Sequence, residues 1–162
     1  MHCTKEHCSQ SDIVTTTHRT LTRSLWIPRP IKEVFTFFAD VSQLQRVTPS
    51  WMHFRVEGYV PSSLTEGTIV NFRLKLRGIP FRWTSIISLW DPPHGFVDEQ
   101  LYGPFKLWKH QHKFSLENGG TRVEDVVTYR TPIGGIIEKF VIRPDLNKIF
   151  DYRERRITQL LG

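Results

Sequence analysis

The chain has 162 residues, 39% of them hydrophobic and 23% charged, a size that fits a single domain with one sizeable core. Its 5 Trp, 11 Phe and 4 Tyr exclude a disordered polymer for most of its length. The formal net charge is +6, but the basic residues are scattered along predicted strands, with only Arg153, Arg155 and Arg156 clustered, so the excess reads as a solvated surface and no nucleic-acid partner is expected.

Residues 1–17 contain no apolar run of the kind a secretory signal needs, and no later stretch approaches the ~20 apolar residues of a membrane span. The expected location is therefore cytoplasmic, without stable membrane insertion. Both cysteines, Cys3 and Cys8, fall in this first segment and cannot staple a fold. His2, Cys3, His7 and Cys8 match no standard zinc spacing. Residues 1–17 are expected to be a disordered tail, and residues 18–162 one domain.

His18 to Ile27 alternates as a strand, and Pro28 and Pro30 end it. Ile31, Val34, Phe35 and Phe38 then make one apolar stripe, which predicts a helix over Ile31 to Ala39. A second short helix, Val41 to Val47, stops at Thr48-Pro49, because a residue preceding proline avoids the α region. From there the period switches to two. Strands are predicted over His53 to Val60 (Phe54, Val56 and Val60 inward), Thr68 to Arg77 (Val70, Phe72, Leu74 and Leu76 inward) and Phe81 to Trp90. In the last of these, Phe81, Trp83, Ser85, Ile87 and Leu89 share a face, while Ile86 and Trp90 on the other suggest a bulge. Phe96 to Leu101 is a further short strand.

The stretch Phe105 to Tyr129 reads as a long hairpin. Trp108, His110, His112 and Phe114 lie on one face, and Asn118-Gly119 supplies the pair with positive φ that a two-residue type I′ turn requires. With that turn, Val123, Asp125, Val127 and Tyr129 fall opposite Phe114, His112, His110 and Trp108, which sets Asp125 beside His112. Beyond it, Ile136, Ile137 and Phe140 begin an apolar stripe that resumes at Leu146, Ile149, Phe150, Arg153, Ile157 and Leu160, with a kink expected near Arg143 because Pro144 cannot donate a helical hydrogen bond.

A carboxylate beside two imidazoles on an inward face is unusual core material, since buried polar groups are costly unless paired. One reading is that His112 and Asp125 simply satisfy each other. A second is a cavity lined by rings and a few polar groups, with Phe72, Trp83, Phe96, Trp108, His110, His112, Phe114, Asp125 and Tyr129 as the ligand-binding candidates. Proton-transfer chemistry is compatible too, with candidates His110, His112, Asp125 and Tyr129: His112, oriented by Asp125, would act as base, and His110 or Tyr129 as donor. A two-histidine, one-carboxylate metal site from His110, His112 and Asp125 lacks an evident further ligand, so neither a metal nor a cofactor is expected.

Several motifs together resemble the SRPBCC, or START-like and Bet v 1-like, superfamily, and within it a bacterial ligand-binding branch related to polyketide cyclase/dehydrase. They are Phe35-Thr36-Phe37-Phe38-Ala39-Asp40, Phe96-Val97-Asp98-Glu99-Gln100, Gly103-Pro104-Phe105, the W-x-H-x-H-x-F string Trp108 to Phe114, Asp125-Val126-Val127-Thr128-Tyr129 and Ile149-Phe150-Asp151-Tyr152-Arg153. The resemblance implies an α+β helix-grip fold: a seven-stranded antiparallel sheet wrapped around a long C-terminal helix, with two short helices after the first strand. It also implies a cavity for lipids, sterols, polyketides or similar molecules, a minority of members acting on them by acid-base chemistry. Relatives placed next to an epimerase-like domain imply a possible epimerase-like protein partner. A hydrophobic or amphipathic small molecule is thus the expected ligand, and a cyclase/dehydrase-like enzyme using His112 and Asp125 the alternative.

Overall fold

The computed structural model describes residues 18–59 and 61–162. Its elements are, in order, β1 (Arg19–Ile27), α1 (Ile31–Ala39), α2 (Val41–Val47), a 3-10 turn (Ser50–Met52), β2 (Arg55–Glu57), β3 (Ile69–Leu76), β4 (Ile79–Asp91), β5 (Gly95–Tyr102), β6 (Leu107–Glu117), β7 (Gly120–Arg130), a π turn (Glu138–Ile142) and α3 (Arg143–Leu161). The strands form one seven-stranded antiparallel sheet in the order β1-β7-β6-β5-β4-β3-β2, so β1 crosses over to pair with β7 and the rest is a meander. This is the helix-grip arrangement, with α3 against one face of the sheet. Among the described residues no helix is long and apolar enough to cross a membrane.

Local chemistry explains most of the boundaries. Asp40 joins the two short helices: it ends α1 in extended conformation and caps α2 by accepting a hydrogen bond from the Ser42 N–H at 2.9 Å. The β6–β7 turn is built on Asn118 (φ 49°) and Gly119 (φ 76°), and its register sets Phe114 against Val123, His112 against Asp125, His110 against Val127 and Trp108 against Tyr129, as the sequence predicts. A second two-residue turn, Arg77-Gly78, joins β3 to β4; Arg77 also clamps Asp145 at the start of α3 through contacts of 2.6 and 3.0 Å.

Three expectations need correcting. The strand predicted over His53 to Val60 is only Arg55–Glu57 long, because His53 takes a left-handed conformation (φ 45°) closing the 3-10 turn and Gly58 turns the chain at φ 75°; Val60 lies outside the described residues, as does the predicted tail, 1–17. In β4 the bulge is real and falls at Ser88, between the Ile87–Asp98 and Leu89–Val97 pairs. It reverses the parity of the strand, so Leu89 is 47% exposed and Trp90 packs inward on Phe35 and Phe96.

The third correction concerns the stripe before Pro144. Ile136 and Phe140 are 77% and 64% exposed, and Glu138 is the residue turned inward. Its carboxylate accepts the Tyr129 hydroxyl at 2.9 Å and lies 3.4 Å from Arg19 Nε and 3.6 Å from Arg143 Nε. The predicted kink takes the form of the π turn, in which the Arg143 N–H reaches back five residues to the Glu138 carbonyl. Pro144 brings no N–H to the ladder, and the wide turn falls immediately before it.

Candidate functional site

Between the sheet and α3 lies a cavity of about 180 Å³. By the measure in which one water needs about 10–15 Å³, this is room for a small organic molecule of ring-system size. Its wall is mostly apolar: Leu44 and Met52 from the helical segment, Val70, Phe72, Leu74 and Trp83 from β3 and β4, Phe96 from β5, Phe105 from the β5–β6 connection, Trp108 from β6, and Leu146, Ile149 and Phe150 from α3. The polar groups on it are Thr48, Ser85, Asp98, His110, His112 and Arg153. Six of the nine predicted ligand-binding residues therefore line the cavity: Phe72, Trp83, Phe96, Trp108, His110 and His112. Phe114 sits behind His112 in the core under α1, Asp125 lies behind the two imidazoles, and the Tyr129 hydroxyl is taken up by Glu138.

Period-two alternation on β6 puts His110 and His112 side by side, with ring centroids 3.9 Å apart and side chains buried to 6% and 4% exposure. Phe96 stacks on His112 at 4.3 Å and Phe150 of α3 meets His110 edge-on at 5.6 Å, which fixes both rings. Each imidazole spans two carboxylates. Towards β7, His110 Nε2 lies 3.0 Å from Asp125 Oδ1, and His112 Nδ1 lies 2.8 Å from the same oxygen but makes no aligned hydrogen bond. Towards β5, where Asp98 pairs with His110 across the strands, His112 Nε2 is 3.4 Å and His110 Nδ1 3.6 Å from Asp98 Oδ2. Asp98, His110 and His112 thus present donor atoms all within 4.8 Å of one another.

The electrostatics of the four groups are divided. For Asp125, burial pushes the carboxyl up, but the adjacent His112 charge and the His110 hydrogen bond outweigh it and hold the group well below the usual range. Asp98 is also held low, because contacts with His112 and His110 overcome the same burial effect. Burial and the neighbouring His112 charge push His110 down, whereas His112 is raised, since the Asp125 and Asp98 carboxylates overcome its desolvation. One imidazole is biased towards the neutral form and the other towards the charged one.

Asp98 and Arg153 were missed as site residues. Asp98 shares a period-two face with Phe96 on a strand that reads as core, which was a usable signal. Arg153 occupied a position of the apolar stripe on α3, where a guanidinium is out of place unless it borders polar groups or a cavity. It does both: its charge helps to hold Asp98 low, its guanidinium lies 5.9 Å over the Phe38 ring, and its Nε is buried without a hydrogen-bond partner among the described residues.

The family model for polyketide cyclase / dehydrase and lipid transport matches residues 27–151. No curated protein resembles the chain closely enough to count as a match. Among solved structures, protein Ms6760 from Mycobacterium smegmatis superposes with a TM-score of 0.69 at 22% identity, covering 88% of this chain and 90% of that one. TTHA0849 from Thermus thermophilus gives 0.66 at 21% identity, covering 89% and 100%. The major latex-like protein 151 of Panax ginseng gives 0.67 at 11% identity, covering 90% and 98%. At such identities the likeness speaks for the fold, and the fold agrees with the family match over most of the domain: the chain belongs to the polyketide cyclase/dehydrase and lipid-transport family of the SRPBCC superfamily.

Proposed function

We propose that the protein binds an apolar or amphipathic small molecule in the cavity between the sheet and α3, with the ligand's polar end against Asp98, His110, His112 and Arg153. The observation that carries this reading is the composition of the cavity wall, apolar over most of its surface with its charged and imidazole groups gathered where β5, β6 and α3 meet. Trp83 and Trp108 stand in that wall, their rings 5.3 Å apart, and serve as built-in reporters. Titration with a panel of fatty acids, quinones and aromatic polyketides should quench their fluorescence saturably with one site per chain. A panel that produces no saturable change overturns the reading.

The division between the two imidazoles favours one further reading, acid-base catalysis on such a ligand. His112, held towards its charged form, would donate a proton, and His110, held towards its neutral form, would accept one, which exchanges the roles expected from sequence. His112→Gln would then abolish turnover and leave ligand affinity within a few fold; equal loss of both points to binding alone.

A further inference from the structure

Asp98, His110 and His112 are spaced awkwardly for hydrogen bonding. The 3.4 and 3.6 Å separations from Asp98 Oδ2 to the two facing nitrogens exceed the 2.7–3.2 Å of a good N–H···O bond. They are, however, close to the roughly 3.3–3.5 Å edge of a tetrahedron whose ligands stand about 2.0–2.1 Å from a central ion. All three donor atoms lie within 4.8 Å of one another.

The opposite sides of the rings supply a second observation. His110 Nε2 and His112 Nδ1 both approach Asp125 Oδ1, at 3.0 and 2.8 Å, so one carboxylate backs both imidazoles. A proton held on His110 Nε2, which hydrogen-bonds Asp125, leaves that ring's lone pair on the Asp98 side; His112 Nδ1 faces the same oxygen without an aligned hydrogen bond, and a carboxylate behind a ligating histidine is the usual support of such a ligand. Charge points the same way. The half-buried Asp98 and the buried Asp125 flank the two rings, and Arg153 is the single Lys or Arg among the described residues lining the cavity.

We infer that Asp98, His110 and His112 form a binding site for a first-row divalent transition-metal ion, with Asp125 as the positioning residue behind both histidines. The remaining coordination position faces the apolar cavity, where a water or the polar end of the ligand would occupy it. Imidazole and carboxylate donors suit zinc and ferrous iron and disfavour calcium. The metal reading set aside on sequence placed Asp125 in the first coordination sphere; the distances give that place to Asp98.

The test uses the full chain, stripped with a chelator and dialysed against Zn²⁺ or Co²⁺. Elemental analysis should find one ion per chain, and the Co²⁺ form should show the visible absorption of a tetrahedral centre. Asp98→Asn and His112→Gln should weaken binding by more than about 100-fold, and Asp125→Asn by about 10–100-fold. Cys3→Ser/Cys8→Ser, which removes both thiols of the chain, should leave it unchanged. The inference is overturned if the wild-type chain takes up no stoichiometric ion, a result that needs no variant to fold. It is equally overturned if uptake survives Asp98→Asn and is lost in the double cysteine variant. Ligand quenching by metal-free protein reports on the cavity separately, so failure of one reading leaves the other standing.

Discussion

Under α1 the sheet is closely packed: Phe35, Phe38, Phe96 and Phe114 meet at centroid distances of 5.2 to 6.3 Å, closed in by Ile27, Val123, Ile157 and Leu161, and Phe38 and Phe96 form the boundary with the cavity. Under α2 and the middle of α3 the residues are as large, with Phe54, Trp83, Trp108 and Phe150 buried, yet they surround a cavity. The same sheet therefore provides a core at one end and a container at the other. Ring content alone does not distinguish them. What does is where the helices land: α1 presses Phe35 and Phe38 into the sheet, while α2 and α3 reach the other half with Leu44, Leu146 and Ile149 at its margin.

That contrast can be broken by truncation. Phe114→Ala at the solid end should cost about 3–5 kcal/mol, because its neighbours cannot collapse into the space, while Leu74→Ala on the cavity wall should cost only about 2 kcal/mol, the side chain already bordering empty volume. Denaturant midpoints for both variants decide it, and equal losses would mean that the two ends are packed alike.

Where solid and hollow halves meet, Asp125 is shared by both histidines. Its removal in Asp125→Ala should destabilise the fold by about 3 kcal/mol, since two buried imidazoles lose the carboxylate that compensates their desolvation. A loss below about 1 kcal/mol in the same unfolding experiment would show that the rings do not depend on it.

The smallest effect concerns the joint between the two covering helices. Asp40→Ala should cost about 1 kcal/mol by removing the α2 cap. Hydrogen bonds from Gln43 and Ser42 hold the Asp40 carboxyl below its ordinary 3.8, so its contribution is complete above that pH and is lost as the pH falls through the depressed folded value. Unfolding of variant and wild type should therefore differ at pH 7 and converge in acid.

Much of this was legible in the chain itself. The β6–β7 register follows from Asn118-Gly119 and strict alternation, and it brought Asp125 to the histidines without any coordinates. Asp98 escaped because its relation to His110 depends on the β5–β6 pairing, across a connection with no two-residue turn to set the register. The stretch before Pro144 misled for a different reason: Ile136, Ile137 and Phe140 look like a core stripe, but the buried position belongs to Glu138, whose partners are Tyr129 on the preceding strand and Arg19 on the first one. Periodicity reports hydrophobic spacing and is silent about a long-range partner for a charge.

The unpaired Ser88 has an implication for how this family member can vary. Its own side chain is exposed and only donates to Glu99, so many residue types could stand there at little cost. Deleting the position would make the Ile87–Asp98 and Leu89–Val97 pairs consecutive, with Ile87 still in, Leu89 out and Trp90 in, so Phe35 would keep the indole it packs against. At this point along the strand the protein tolerates a change of letter and the loss of one alike, whereas a substitution at Trp90 itself would reach the packing under α1.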